Sequence, residues 1–210
     1  MAKENSGRRL KAQQTRNRML EAAMALFVEH GYGGTTIESI AREAGVAVQT
    51  IYFSFGSKQR ILKELIDVHI AGDEDPVPTL ERPQVVEALE AEDPRRQLRL
   101  QVQLTRVILE RVGPLLEVLR NAAATSGDGA ELWEANKRQR LIVQRRFIES
   151  LESKSALREG LGVDRAVDIA YVLLGPELFH LLVSERGWTP QEWEQWVYES
   201  HCHHLIGEPA

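Results

Sequence analysis

The chain has 210 residues, 43% hydrophobic and 27% charged, which allows a packed core and excludes a disordered or low-complexity chain. One cysteine, Cys202, excludes an internal disulfide framework. No apolar run is read as approaching the ~20 residues of a spanning helix, and the basic N-terminus lacks the apolar segment of a signal peptide, so a cytoplasmic location is expected.

The net charge of −5 is unevenly divided. Residues 1–70 carry ten Lys/Arg against seven Asp/Glu, a net +3, and residues 71–210 carry −8. A basic head on an acidic body directs a polyanionic partner to the head.

Apolar positions recur at three and four rather than two, so the chain is predicted all-α. The first helix presents Met19, Ala22, Ala23, Leu26, Phe27 and His30 on one face and ends at Gly31. Two short helices follow, and a fourth opens at Ser57 and runs towards His69 on Ile61, Leu62, Leu65 and Val68. The breaker cluster from Gly72 to Pro83 marks the expected boundary between a domain over 1–70 and a second over 71–210. Beyond it, Leu98, Val102, Thr105 and Leu109 share a helical face, and Gly113-Pro114 is expected to interrupt or kink the chain. Leu115, Leu116 and Leu119 lie on a further helix, which Thr125–Gly129 breaks; a long helix then spans about 130–153. One apolar helix, capped by Asp164, is predicted to carry Val167, Ala170, Leu174, Leu178 and Leu181, and Thr189-Pro190 starts the last helix.

The segment from Gly31 to Phe55 holds the chemistry. Thr35 with Glu38 reads as a capping box. Ile37, Ile40, Ala41 and Ala44 point inward, and Ala41 is small enough for a second helix to cross closely. Gly45 supplies a left-handed C-cap and Val46 fills the gap between the helices. The second helix, 47–54, buries Ile51 with Phe55 and leaves Val48, Gln49, Thr50, Tyr52 and Phe53 outward or flanking. That face is unusually apolar for a surface and suits a groove. These features at these offsets favour a DNA-binding helix-turn-helix over an ordinary helical hairpin.

The run Gly31-Tyr32, Thr35-Thr36-Ile37, Ile40-Ala41, Ala44-Gly45-Val46, Ile51-Tyr52, Phe55, Ser57-Lys58 and Leu62 resembles the DNA-binding signature of TetR-type repressors, over residues 15–65. A looser likeness, from Gly175 to Pro190, is similar to the ends of the last two helices in many members. The resemblance implies an N-terminal three-helix DNA-binding domain and a C-terminal helical domain for ligand binding and dimerisation. It implies that Thr36, Tyr52 and Lys58 hold phosphates and that Val48, Gln49, Thr50 and Phe53 face the major groove. Arg8, Arg9, Lys11, Arg16 and Arg18 either reach the backbone and minor groove or form a solubilising tail. Ala47, Val48 and Gln49 depart from the family pattern, where serine, a basic residue or proline, and glycine are common.

The family further implies a homodimer whose last two helices pair across a two-fold axis, and a ligand that releases the operator. Leu104, Ile108, Trp133, Phe147, Tyr171 and His180 are the candidate effector contacts, chosen as large, interior-leaning side chains. A DNA-binding protein without a small-molecule effector is the main alternative. Without strands, a nucleophile elbow or a carboxylate cluster, no enzyme is expected. No cofactor is expected, and the His201–His204 run is read as a chain end or dimer edge rather than a metal site, since adjacent helical residues diverge.

Overall fold

The computed structural model describes residues 2–73 and 75–206, with side chains from residue 10 onward; the side chains of Arg8 and Arg9 lie outside the described residues. Every regular element among them is helical. In chain order these are α1 (Ala2–Gly34), α2 (Ile37–Ala44), α3 (Val48–Phe55), α4 (Lys58–Ala71), a 3₁₀ turn (Thr79–Glu81), α5 (Pro83–Glu90), α6 (Pro94–Ala123), α7 (Gly127–Ser153), α8 (Val163–Leu173), α9 (Pro176–Phe179) and α10 (Pro190–His201). Wider π-helical turns follow α9 at His180–Glu185 and α10 at Cys202–Ile206.

The chain forms two compact units, the first of residues 1–68 and 114–133, the second of 69–113 and 134–210. In the first, Met19, Phe27, Ile40, Ile51, Ile61 and Leu62 are essentially excluded from solvent. In the second, Leu98 of α6, Ile148 and Leu151 of α7, Ala166, Val167 and Ala170 of α8, and Cys202 and Leu205 form one core cluster.

The elements differ from the sequence expectations at four places. First, α6 runs unbroken through Pro114. Proline removes one N–H and crowds the preceding turn, yet Leu109, Val112, Leu115, Leu116 and Leu119 keep a single buried row through it. Second, α5 was not anticipated: Arg82 precedes it, Pro83 fills its first position, and Val85 and Ala88 bury its inner face. Third, the apolar helix predicted beyond Asp164 is divided. Its N-cap is Gly162, and α8 stops at Leu173 because Pro176 begins a new turn; Asp164 pairs with Arg145 at 2.7 Å. Fourth, Val163–Glu185, with a mean hydropathy of 1.6 in its richest window, is long and apolar enough by composition to cross a membrane. Buried core segments meet the same criterion, and 39% of that window is buried within the protein.

The segment between α4 and α5 is held by Arg82, whose guanidinium binds both carboxylate oxygens of Asp73 at 2.8 and 3.0 Å and the carbonyls of Ala71 and Asp75. Gly72, at φ +86°, leaves room for Arg111, since a Cβ there would stand 2.1 Å from Arg111 Nη1.

Candidate nucleic-acid interface

The interface belongs to the first unit and starts at the end of α1. Gly31 leaves helical geometry at φ 70°, ψ 172°, which frees carbonyls that need donors. The Thr35 hydroxyl lies 2.8 Å from the Gly31 carbonyl and 3.0 Å from that of Leu26, and the residue is 1% exposed. Thr35 therefore closes α1 rather than capping α2. The cap falls one residue later: Thr36 accepts from the Ser39 amide at 3.0 Å, and Ser39 Oγ accepts from the Thr36 amide at 3.0 Å.

Helix α2 ends in a Schellman motif. Gly45 adopts φ 65°, ψ 40°, its N–H donates to Arg42 O at 3.3 Å, and Val46 N–H donates to Ala41 O at 3.0 Å. This turn starts α3, whose N-cap Ala47 supplies no side-chain acceptor. Gly56, at φ +78°, ends α3, and Ser57 accepts from the Arg60 amide at 3.2 Å to open α4.

Within α3, Ile51 and Phe55 are buried. Gln49 is exposed, Val48 and Thr50 are half-buried, Tyr52 is 50% exposed and Phe53 94%. Thr36 is exposed at the start of α2. The structure thus brings Thr36 and the α3 residues onto the outside of one helix-turn-helix.

Lys58 is placed differently from a free surface cation. Its ammonium donates to the Tyr32 and Thr35 carbonyls at 2.7 Å each and lies 4.2 Å from the centre of the Tyr32 ring. Burial pushes its pKa below the ordinary lysine value, with the Asp128 carboxylate acting the other way; burial and the same carboxylate raise that of Tyr32. Two of its three N–H groups are engaged, so one remains to meet an anion. Arg16 is likewise committed: it donates to the Ser54 carbonyl at 3.2 Å, pairs with Glu64 at 2.5 Å and stacks 4.3 Å from the Phe55 ring. It fastens α1 to the end of α3 and to α4, a role that its basic neighbours in sequence concealed.

The six candidate effector residues do not converge. Phe147 is buried with Val85 and Ala88, and Leu104 packs on that cluster. Ile108 is half-buried on α6, and Trp133 belongs to the first unit. The Tyr171 hydroxyl accepts from Arg140 at 3.0 Å and borders an open cleft of about 450 Å³ between α7 and α8, lined by Glu134, Lys137, Arg138, Leu141, Asp168 and Val172. His180 faces Glu185 at 3.5 Å. At the C-terminus, the His203 and His204 rings meet edge to face at 4.9 Å, and no group of three metal-ligating side chains occurs among the described residues.

Two short helices joined by a left-handed glycine turn, with the second helix exposed, define a helix-turn-helix protein. Residues 19–65 match the family model described as bacterial regulatory proteins, tetR family. Over 199 residues, covering 85% of this chain and 89% of the relative, the sequence is 30% identical to ArpR, a probable HTH-type transcriptional regulator of Pseudomonas putida. The chain belongs to the TetR family of transcriptional regulators. Other curated regulators, of Bacillus subtilis and Pseudomonas putida, match over 55 residues, and the chain spans 29% and 26% of their length. Among solved structures, native NalD of Pseudomonas aeruginosa, described as the secondary repressor of the MexAB-OprM multidrug efflux pump, has a TM-score of 0.74 at 23% identity, covering 94% of this chain and 100% of that one. A SmeT–triclosan complex has a TM-score of 0.71 at 20% identity, covering 92% of each. At these identities the likeness shows the fold.

Proposed function

We propose that this chain is a dimeric, cytoplasmic repressor that places one α3 in the major groove of each operator half-site and leaves the DNA when the second unit takes up a small molecule. The observation that carries the reading is the outward face of α3, where Gln49, Tyr52 and Phe53 stand exposed on a helix fixed by glycine turns at both ends. In this arrangement Gln49 meets a base edge, Val48, Thr50 and Phe53 pack in the groove, and Thr36, Tyr52 and the third N–H of Lys58 hold phosphates.

A single helix-turn-helix spans few base pairs, so useful specificity calls for two copies. The exposed Val172, Leu181 and Trp196, on α8, the following π turn and α10, supply apolar surface for a second protomer. Support for a small-molecule effector comes from fold neighbours, of which SmeT is solved with triclosan and NalD is named as a repressor. In this chain the cleft beside Tyr171, where Leu141 and Val172 stand among four charged side chains, is an opening offered to such a ligand.

Selection of duplexes from a random pool by the full chain tests the reading. An inverted repeat with half-site centres about 34–36 Å apart is expected, and the Gln49→Ala variant should return the same repeat with one position per half-site relaxed. Recovery of no enriched sequence would exclude the proposal.

A further inference from the structure

The residues that α3 lacks restrict what it can read. Val48–Phe55 contains no lysine, arginine, aspartate or glutamate. In the major groove guanine offers two acceptors, N7 and O6, most often met by arginine or lysine, and the cytosine amino group is met by aspartate or glutamate. The remaining polar group best matched to a base edge is the Gln49 amide, whose donor and acceptor complement adenine N7 and N6.

Two of the described basic side chains near α3 are committed elsewhere. Lys58 is turned to the Tyr32 and Thr35 carbonyls, and Arg16 to Ser54 and Glu64. Arg42 stands at the end of α2, and Arg60 is on α4 beside Gly56. Phe53 is the most exposed large apolar side chain among the described residues, at 94%. It has no hydroxyl with which to hold a phosphate, and an apolar contact in the groove would remove it from water. The thymine C5-methyl is the apolar group on that edge.

Resting on the DNA-binding reading above, we infer that α3 recognises A·T pairs, with Gln49 on adenine and Phe53 and Val48 on thymine methyls, and makes no contact that depends on guanine N7. Specificity at the centre of each half-site is then carried by methyl groups more than by charge-assisted hydrogen bonds.

The test uses the full chain and its selected operator in three forms: unmodified, with deoxyuridine replacing thymidine across the half-site, and with 7-deazaguanine replacing guanine. Loss of each contacted methyl should weaken binding about fourfold, whereas removal of guanine N7 should leave affinity unchanged. Phe53→Ala, a change on a side chain outside the core, should bind the thymidine and deoxyuridine duplexes equally at the position Phe53 covers. Equal affinity of the parent protein for both duplexes, or a tenfold loss with 7-deazaguanine, overturns the inference while leaving sequence-specific DNA binding in place. Failure to select any motif removes the DNA-binding reading, and this inference with it.

Discussion

His201, near the C-terminal end of α10, is wholly buried; its Nδ1 lies 2.9 Å from the Val197 carbonyl, and Nε2 has no hydrogen-bond partner among the described residues. Burial holds its pKa down at about 4 against an ordinary 6.5. An unfolded chain takes up the proton near pH 6.5 and the folded one only near pH 4, so stability falls as the pH drops through that window. The difference corresponds to roughly 3 kcal/mol once the pH is below both values. Chemical denaturation of His201→Leu at pH 7 and pH 4.5 should show a smaller acid loss than the parent, and an equal loss would refute the assignment. At the interface, much at this scale was legible from sequence: Gly45, Val46, Ile51 and Phe55 occupy the predicted places because each is fixed by local geometry or by strong burial. Thr35 and Thr36 show where legibility ends. In Thr-Thr-Ile-Glu-Ser either threonine finds a capping partner three residues on, and only the orphan carbonyls left at Gly31 and Leu26 decide between them. The positions of Arg16 and Lys58 were hidden for a similar reason, since their partners lie 38 and 26 residues away, at Ser54 and Tyr32.

The connection between α4 and α5 reads as a run of breakers from its composition, and Arg82 ties its described backbone together. Arg82 gathers Ala71, Asp73 and Asp75 around its guanidinium and holds the Asp73 carboxyl below its usual pKa, chiefly through their hydrogen bond. Arg82→Ala should speed amide exchange at the described residues 72, 73 and 75–81 and lower the melting temperature, while α1–α3 keep their protection; unchanged exchange there would show that Arg82 does not order them. The periodic face of α7 locates it to within three residues at its start and at Ser153 at its end, whereas α6 reads as two helices because Gly113-Pro114 signals a break that its continuous buried row overrides. Helix α5 is illegible in the sequence because eight residues with two buried positions carry little periodic signal. The division between α8 and α9 is hidden in the sequence because leucines and valines continue across Gly175-Pro176, so the apolar pattern outlasts the helix.

For the molecule as a whole, the reading as a two-fold DNA binder requires self-association. Sedimentation equilibrium at micromolar concentration should return twice the 23.8 kDa chain mass, and a monomer would remove the two-copy arrangement. Native mass spectrometry of the purified chain would show in the same conditions whether a small molecule is carried with it.

The first unit is assembled from two stretches of chain, 1–68 and 114–133, and within it the Gln59 amide donates to the Asp128 carbonyl at 3.3 Å. A fragment cut after residue 70 would lack the second stretch, including the buried Leu115, Leu116, Leu119 and Ala122. Chimeras that graft this reading head onto another regulator must therefore carry both stretches. A junction at the α4–α5 connection alone would make a hybrid whose helix-turn-helix unit is completed by the recipient's residues, so a changed operator preference in it would not by itself report on α3.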